Sequence, residues 1–297
     1  MSERLTMDPA TLARIGNLEL VARWVVEGFI SGLHRAPNLG FSTDFAEHRP
    51  YVPGDDIRHV DWRVFARTER TYLKSYEADT NTNFTVLLDV SASMGYAHGA
   101  ITKLAYAKLI AATLAWFSRR QRDRVGVATI ADDVREIVPP SARHLPHVLH
   151  VLDRATAGGA GALARPIARI AQAQPRRGIF LLLSDLYEPA AEVSRALGPL
   201  TGAGHDVMVI QLLDAAERTF PFDDSTTFRD LESGAQLPVS PAKSRARYLA
   251  AMDAHLAAMR AKLAGSRVDY MLVDTAQPID RVLFDYLVRR EFLRTAV

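Results

Sequence analysis

The sequence predicts an α/β fold, a mostly parallel central sheet flanked by helices, with a small N-terminal subdomain of helix and short strands. Three observations predict it. The runs from Phe84 to Asp89 and from Gly178 to Asp185 are almost continuously apolar and of strand length, as expected of strands buried on both faces. After the first of them, apolar residues recur at helical spacing, as at Leu104, Ala107, Ala111 and Leu114. Strand and helix signals then alternate to the end of the chain, the pattern of a parallel sheet wound by crossover helices.

Taken in order, Asp8 caps and Pro9 opens a helix that runs to about Leu33, with Leu12, Ile15, Leu18, Val21 and Val25 on one face. Trp24 and Phe29 of this helix are expected to pack on the segment that follows. From His34 to Asp79, Gly40, Pro50, Pro53 and Gly54 punctuate short aromatic and β-branched runs, which predicts short strands and turns. The chain is therefore divided into residues 1–80, the small subdomain, and residues 81–297, the α/β domain.

In the second part, strands are expected at Phe84 to Asp89, Arg124 to Ile130, Val134 to Val138 on an edge, Gly178 to Ser184, His205 to Leu213 and Arg267 to Val273. Helices are expected at Ile101 to Arg119, Leu145 to Ala155, Leu163 to Gln172, Pro189 to Leu200, Pro241 to Ala264 and Ile279 to Arg290. A hairpin joins Thr226–Leu231 to Gln236–Val239.

Composition excludes several function classes. The formal charge is only +2, and no Lys/Arg block is long enough to track a phosphate backbone, which argues against nucleic acid. No cysteine is present, so disulfides, thiolate metal sites and thiol nucleophiles are ruled out. No apolar run approaches the ~20 residues of a membrane span, and the N-terminus lacks a secretory signal. A cytoplasmic protein without direct membrane insertion is expected.

The most informative residues end the first strand. Asp89, Ser91 and Ser93 place one carboxylate and two hydroxyls at alternate positions where strand becomes loop. Hard cations such as Mg²⁺ take oxygen donors of this kind. Asp and Ser after a strand also serve as turn formers and helix caps. A second apolar strand ending in Ser184 and Asp185 would deliver another carboxylate to the same carboxyl edge, where open α/β sheets bind ligands.

Asp89-Val90-Ser91-Ala92-Ser93, the later Gly158-Gly159 loop and Ser184-Asp185 resemble the metal-ion-dependent adhesion site of von Willebrand factor A domains. Upstream, Phe45, Arg49, the run from Pro50 to Arg58, Val60-Asp61-Trp62 and Ala66-Arg67 resemble the bacterial family called domain of unknown function fifty-eight, in which such a block precedes an A-type domain. The resemblance implies a Rossmann-like A domain over residues 81–297. It also implies a Mg²⁺ site of Asp89, Ser91, Ser93 and, through water, Asp185, at which an acidic side chain of a protein partner completes the coordination. The loop that carries a threonine ligand in that pattern reads Gly158-Gly159-Ala160-Gly161 here, so Ala160 withdraws one oxygen and the site is degenerate. Members of the family are commonly encoded beside AAA+ ATPases of the MoxR type. The resemblance thus implies a non-enzymatic adaptor or co-chaperone that couples such an ATPase to client proteins.

Other readings stand beside this one. Asp55, Asp56 and Asp61 could form a second acidic centre, or could pair with Arg58, Arg63 and Arg67. A metal-dependent hydrolase would use Asp89 and Asp185 with that centre. A structural scaffold would carry an inactive ion site. His144, His147 and His150 have a spacing that zinc sites use, but Pro146 interrupts it and a solvated helix face explains it. The chain has no Gly-x-Ser-x-Gly elbow and no phosphate-binding glycine loop, so nucleophilic and nucleotide chemistry have no sequence support.

Overall fold

The computed structural model describes residues 8–34, 47–50, 72–75, 81–223 and 226–295. It contains two compact units, one formed by Met1–Glu27 with Thr82–Val297 and the other by Gly28–Asn81. The division thus differs from 1–80 and 81–297 at the N-terminal end, where residues up to Glu27 join the larger unit. Within the smaller unit, β1 (Glu47–Pro50) pairs antiparallel with β2 (Tyr72–Ser75). Asp55, Asp56, Asp61 and the rest of the block from Tyr51 to Arg67 lie outside the described residues.

Two helices stand at the N-terminal end where one was expected, α1 (Pro9–Arg14) and α2 (Leu18–His34). The Asp8 side chain caps α1 as expected, accepting from Thr11 N–H at 3.0 Å. The break comes at Gly16, whose φ of +68° is left-handed, a conformation open to glycine. Asn17 then caps α2 by accepting from Leu20 N–H at 2.9 Å. Val21, Ala22, Val25 and Val26 form the buried face of α2, while Trp24 is exposed; the segment expected to pack on it begins outside the described residues.

The sheet has the order β10–β7–β6–β3–β4–β5. Its strands are β3 (Asn83–Asp89), β4 (Arg124–Ile130), β5 (Val134–Ser141), β6 (Gly178–Ser184), β7 (Asp206–Leu213) and β10 (Val268–Asp274). All neighbours run parallel except β5, which returns antiparallel on the edge beyond the Asp132-Asp133 turn. This is the doubly wound arrangement in which strand order reverses beside the first strand, here β3, and a crevice opens at the carboxyl ends there.

The helices of the sheet body are α3 (Lys103–Arg120), α4 (Leu145–Arg154), α5 (Ala164–Ala173), α6 (Ala190–Gly202), α7 (Ala215–Thr219), α8 (Pro241–Ala264) and α9 (Ile279–Thr295). They cover both faces, so Val86, Leu87, Leu88, Leu181, Leu182, Leu183, Val209 and Ile210 are fully buried. Burying each such side chain contributes about 1.5–3 kcal/mol, and the polar residues buried among them are hydrogen-bonded, Thr85 to Gln174 at 2.9 Å and Gln211 to the Asp185 carbonyl at 2.8 Å. β8 (Thr226–Arg229) and β9 (Gln236–Val239) form a separate antiparallel hairpin. Among the described residues no helix is long and apolar enough to cross a membrane.

Candidate functional site

β3 and β6 are neighbours, so Asp89 and Asp185 emerge at the same carboxyl edge. Asp89 is buried. Its Oδ1 accepts the Ser91 N–H at 2.8 Å and its Oδ2 accepts the Ser184 hydroxyl at 2.5 Å. A 3-10 turn over Ala92–Gly95 folds the chain back, which brings the Ser91 and Ser93 Oγ atoms to 3.1 Å. The loop before α5 is laced to this turn by two backbone bonds, Gly158 N–H to Val90 O at 2.8 Å and Ala92 N–H to Gly159 O at 2.9 Å. The segments carrying Asp89, Gly158–Gly161 and Asp185 therefore converge.

The two carboxylates have different surroundings. Burial pushes Asp89 up to about 6, and the charge of Asp185 adds to the shift. Among the described residues no basic side chain pairs with Asp89. Asp185, by contrast, is held by Lys103, whose Nζ donates to its Oδ2 at 2.8 Å. The same ammonium donates to Glu217 Oε1 at 2.6 Å and has no solvent exposure at all. It also faces the rings of Tyr187 and Tyr96, at 4.9 and 5.6 Å from their centroids. Glu217 is fixed at both oxygens: Oε1 also accepts the Tyr187 hydroxyl at 2.6 Å, and Oε2 accepts the Asp214 N–H at 2.8 Å in a capping box at the start of α7.

Lys103 and Glu217 are the residues sequence reading missed. A signal for Lys103 did exist. It lies four residues before Ala107, on the apolar stripe of α3, where a solvated lysine does not belong. No comparable local signal marks Glu217, because its partner lies 114 residues away.

Oxygen donors suited to a hard cation are thus present in Asp89, Ser91 and Ser93: one buried carboxylate without a counter-charge and two adjacent hydroxyls. Asp185 is already engaged by an ammonium. Ala160 is exposed and offers no side-chain oxygen. Among the described residues no group of three or more His, Cys, Asp or Glu is placed to hold a metal. The histidine series takes ordinary positions at α4: His144 Nδ1 lies 2.7 Å from Pro139 O, and His147 and His150 are exposed.

The family model described as "Protein of unknown function DUF58" matches residues 47–258, well over half of the chain. The chain belongs to the DUF58 family. Uncharacterized proteins of Mycobacterium bovis and Mycobacterium tuberculosis are 28% identical to this DUF58 chain over 243 residues, covering 79% of it and 76% of each relative. Among solved structures, a conserved hypothetical protein BatB from Bacteroides thetaiotaomicron aligns over 70% of this chain and 98% of its own, with a TM-score of 0.48 and 15% identity. The SpRpn10 VWA domain aligns over 68% and 94%, with a TM-score of 0.41 and 13% identity.

Proposed function

We infer that this DUF58 protein is a non-enzymatic protein-binding module that works from the carboxyl edge of its sheet. The observation that carries the reading is Asp89, a buried carboxylate at a ligand-binding edge, lifted in pKa and left without a cation of its own. Proteins do not bury such a charge for stability, and perturbed groups in a crevice mark functional sites. Asp89, Ser91 and Ser93 would hold Mg²⁺, which supplies an electrophilic centre for a partner's acidic side chain. Ala160 leaves the ion with one ligand fewer than the full pattern, and Asp185 is turned to Lys103 instead. The chain's own groups orient the site: Ser184 and the Ser91 amide fix Asp89, and the Gly158–Gly161 loop walls it.

Against turnover, a general base must reach substrate with a free lone pair. Asp185 and Glu217 are both ion-paired to the buried Lys103 ammonium, so neither stands as an unpaired carboxylate beside Asp89. The partner in this reading is a MoxR-type AAA+ ATPase in the cytoplasm, with client proteins bound through the same complex. A structural scaffold with an inactive ion site is the second reading, and the Lys103–Asp185 pair favours it, since an internal ammonium already neutralises one of the two acids.

The test is calorimetric titration of the purified chain with the MoxR-type ATPase of its own genome. Binding is expected with Mg²⁺ and is expected to weaken at least about tenfold in Asp89→Ala and, without nucleotide, in EDTA. A complex equally strong under all these conditions would overturn the role of the site and support the scaffold.

A further inference from the structure

The tip of the β8–β9 hairpin touches the candidate site. Glu232 Oε2 accepts the Gly161 N–H at 3.0 Å. A Cβ added at Gly161 would lie 3.2 Å from Glu232 Oε1, 3.3 Å from Ser91 Cβ and 3.5 Å from Ser91 Oγ. The Glu232 carboxylate and the Ser91 hydroxyl therefore flank one narrow gap, which stays open because residue 161 has no side chain.

The hairpin is built to hold that carboxylate out at its tip. Asp230 accepts from Glu232 N–H at 2.9 Å and from the Ser233 hydroxyl, and Asp230 N–H closes the turn on Ala235 O at 2.8 Å. Asp230 is thereby consumed inside the turn and Glu232 is left to reach outward. Phe228 of β8 packs on Phe220 and Phe222, with ring centroids 5.6 and 5.0 Å away. Leu237, opposite Phe228 in register, and Leu231 in the turn are exposed. A two-stranded hairpin of this kind is marginal alone. It is anchored by the Phe228 aromatic contacts and by the charged hydrogen bond of Glu232.

We propose that the hairpin is a latch: Glu232 sits in the seat that an acidic side chain of the partner takes, and the tip must lift before the partner can dock. The proposal rests on the reading of this edge as a carboxylate-binding site. The surrounding charge agrees with it. Glu188 accepts from Leu163 N–H at 2.9 Å; burial raises its pKa, and the charges of Glu192 and Glu232 raise it further. Glu188 and Glu192 stay on the rim when the tip lifts, so it is removal of the Glu232 charge that lowers the repulsion a partner's acid meets.

The test uses the full chain as wild type, Glu232→Gln and Glu232→Ala; residue 232 is exposed, so the variants keep the fold, and thermal melts verify this. The probes are a labelled synthetic peptide of residues 226–239 and the same peptide with Gln at position 232, read by fluorescence anisotropy in Mg²⁺. Hydrogen exchange at the Gly161 amide is followed separately in EDTA. Exchange is expected to quicken about tenfold in Glu232→Ala, and the acidic peptide is expected to bind both variants about tenfold more tightly than wild type, since a hydrogen bond to a charged group is worth roughly one decade or more. The Gln peptide is expected not to bind. Equal affinity for wild type and variants, with unchanged exchange, would overturn the latch alone. Quickened exchange with no peptide bound to any form would sink the carboxylate seat itself, and the latch with it.

Discussion

Lys103→Met is expected to destabilise the chain by about 3–5 kcal/mol, the cost of breaking a buried ion pair from one side. The ammonium is fully buried and donates to two carboxylates, Asp185 at 2.8 Å and Glu217 at 2.6 Å. Methionine fills the stem's volume, so packing is kept and only the charge is lost. Asp185, itself buried, would then stand without a counter-ion beside Asp89. Lys103 is also the first residue of α3, where the helix dipole disfavours a cation. Only its two acids and the faces of Tyr187 and Tyr96 make that position tolerable. Urea unfolding at pH 7.5 measures the loss. The triple change Lys103→Met, Asp185→Asn, Glu217→Gln should recover most of it, because it removes the stranded charges with their partner. A loss for Lys103→Met no larger than about 1 kcal/mol would place the pair with ordinary surface salt bridges and remove it as the organiser of the edge.

The same residue shows where the sequence stopped being readable. β4 and β6 run over the residues expected, and α8 spans Pro241–Ala264 as expected, because continuous apolar runs and a proline at the first helical turn are local signals. The convergence of Asp89 and Asp185 followed from two such strands ending in acids, since neighbouring parallel strands deliver their carboxyl ends to one edge. What a local pattern cannot carry is the state of each acid after it arrives. Asp185 looked like a water-mediated ligand, and its partner Lys103 lies 82 residues earlier. Glu232 falls between the two strands of the expected hairpin, and its contact at Gly161 lies 71 residues away. The break at Gly16 was missed for the opposite reason: the apolar spacing on either side continued in phase, and only backbone conformation separates α1 from α2.

Asp89→Asn is expected to stabilise the metal-free protein at neutral pH, against the usual direction for a substitution at a buried hydrogen-bonded site. The carboxyl is pushed up to about 6 in the folded chain, from an ordinary value near 4 in the unfolded one, mainly by burial and then by Asp185. The folded state thus binds this proton more tightly than the unfolded state. Its contribution to stability is fully present below about pH 4 and is lost as pH rises through about 6. At pH 7.5 the ionised group therefore costs about 3 kcal/mol, two units at 1.36 kcal/mol each. Asparagine removes that cost and keeps the shape. Its Oδ1 can still accept the Ser91 amide, and its amide can donate to the Ser184 hydroxyl. In EDTA the variant should melt about 5 °C above wild type at pH 7.5, with the gap closing toward pH 4.5. Adding Mg²⁺ should raise wild type alone, by an increment that grows with concentration over the dissociation constant. A charge that a fold tolerates at such a cost is kept for what it binds. If Asp89→Asn instead melts lower than wild type at every pH, the carboxylate is a structural bracket for the Ser91 turn, and the edge of the sheet loses the feature that marks it as a binding site.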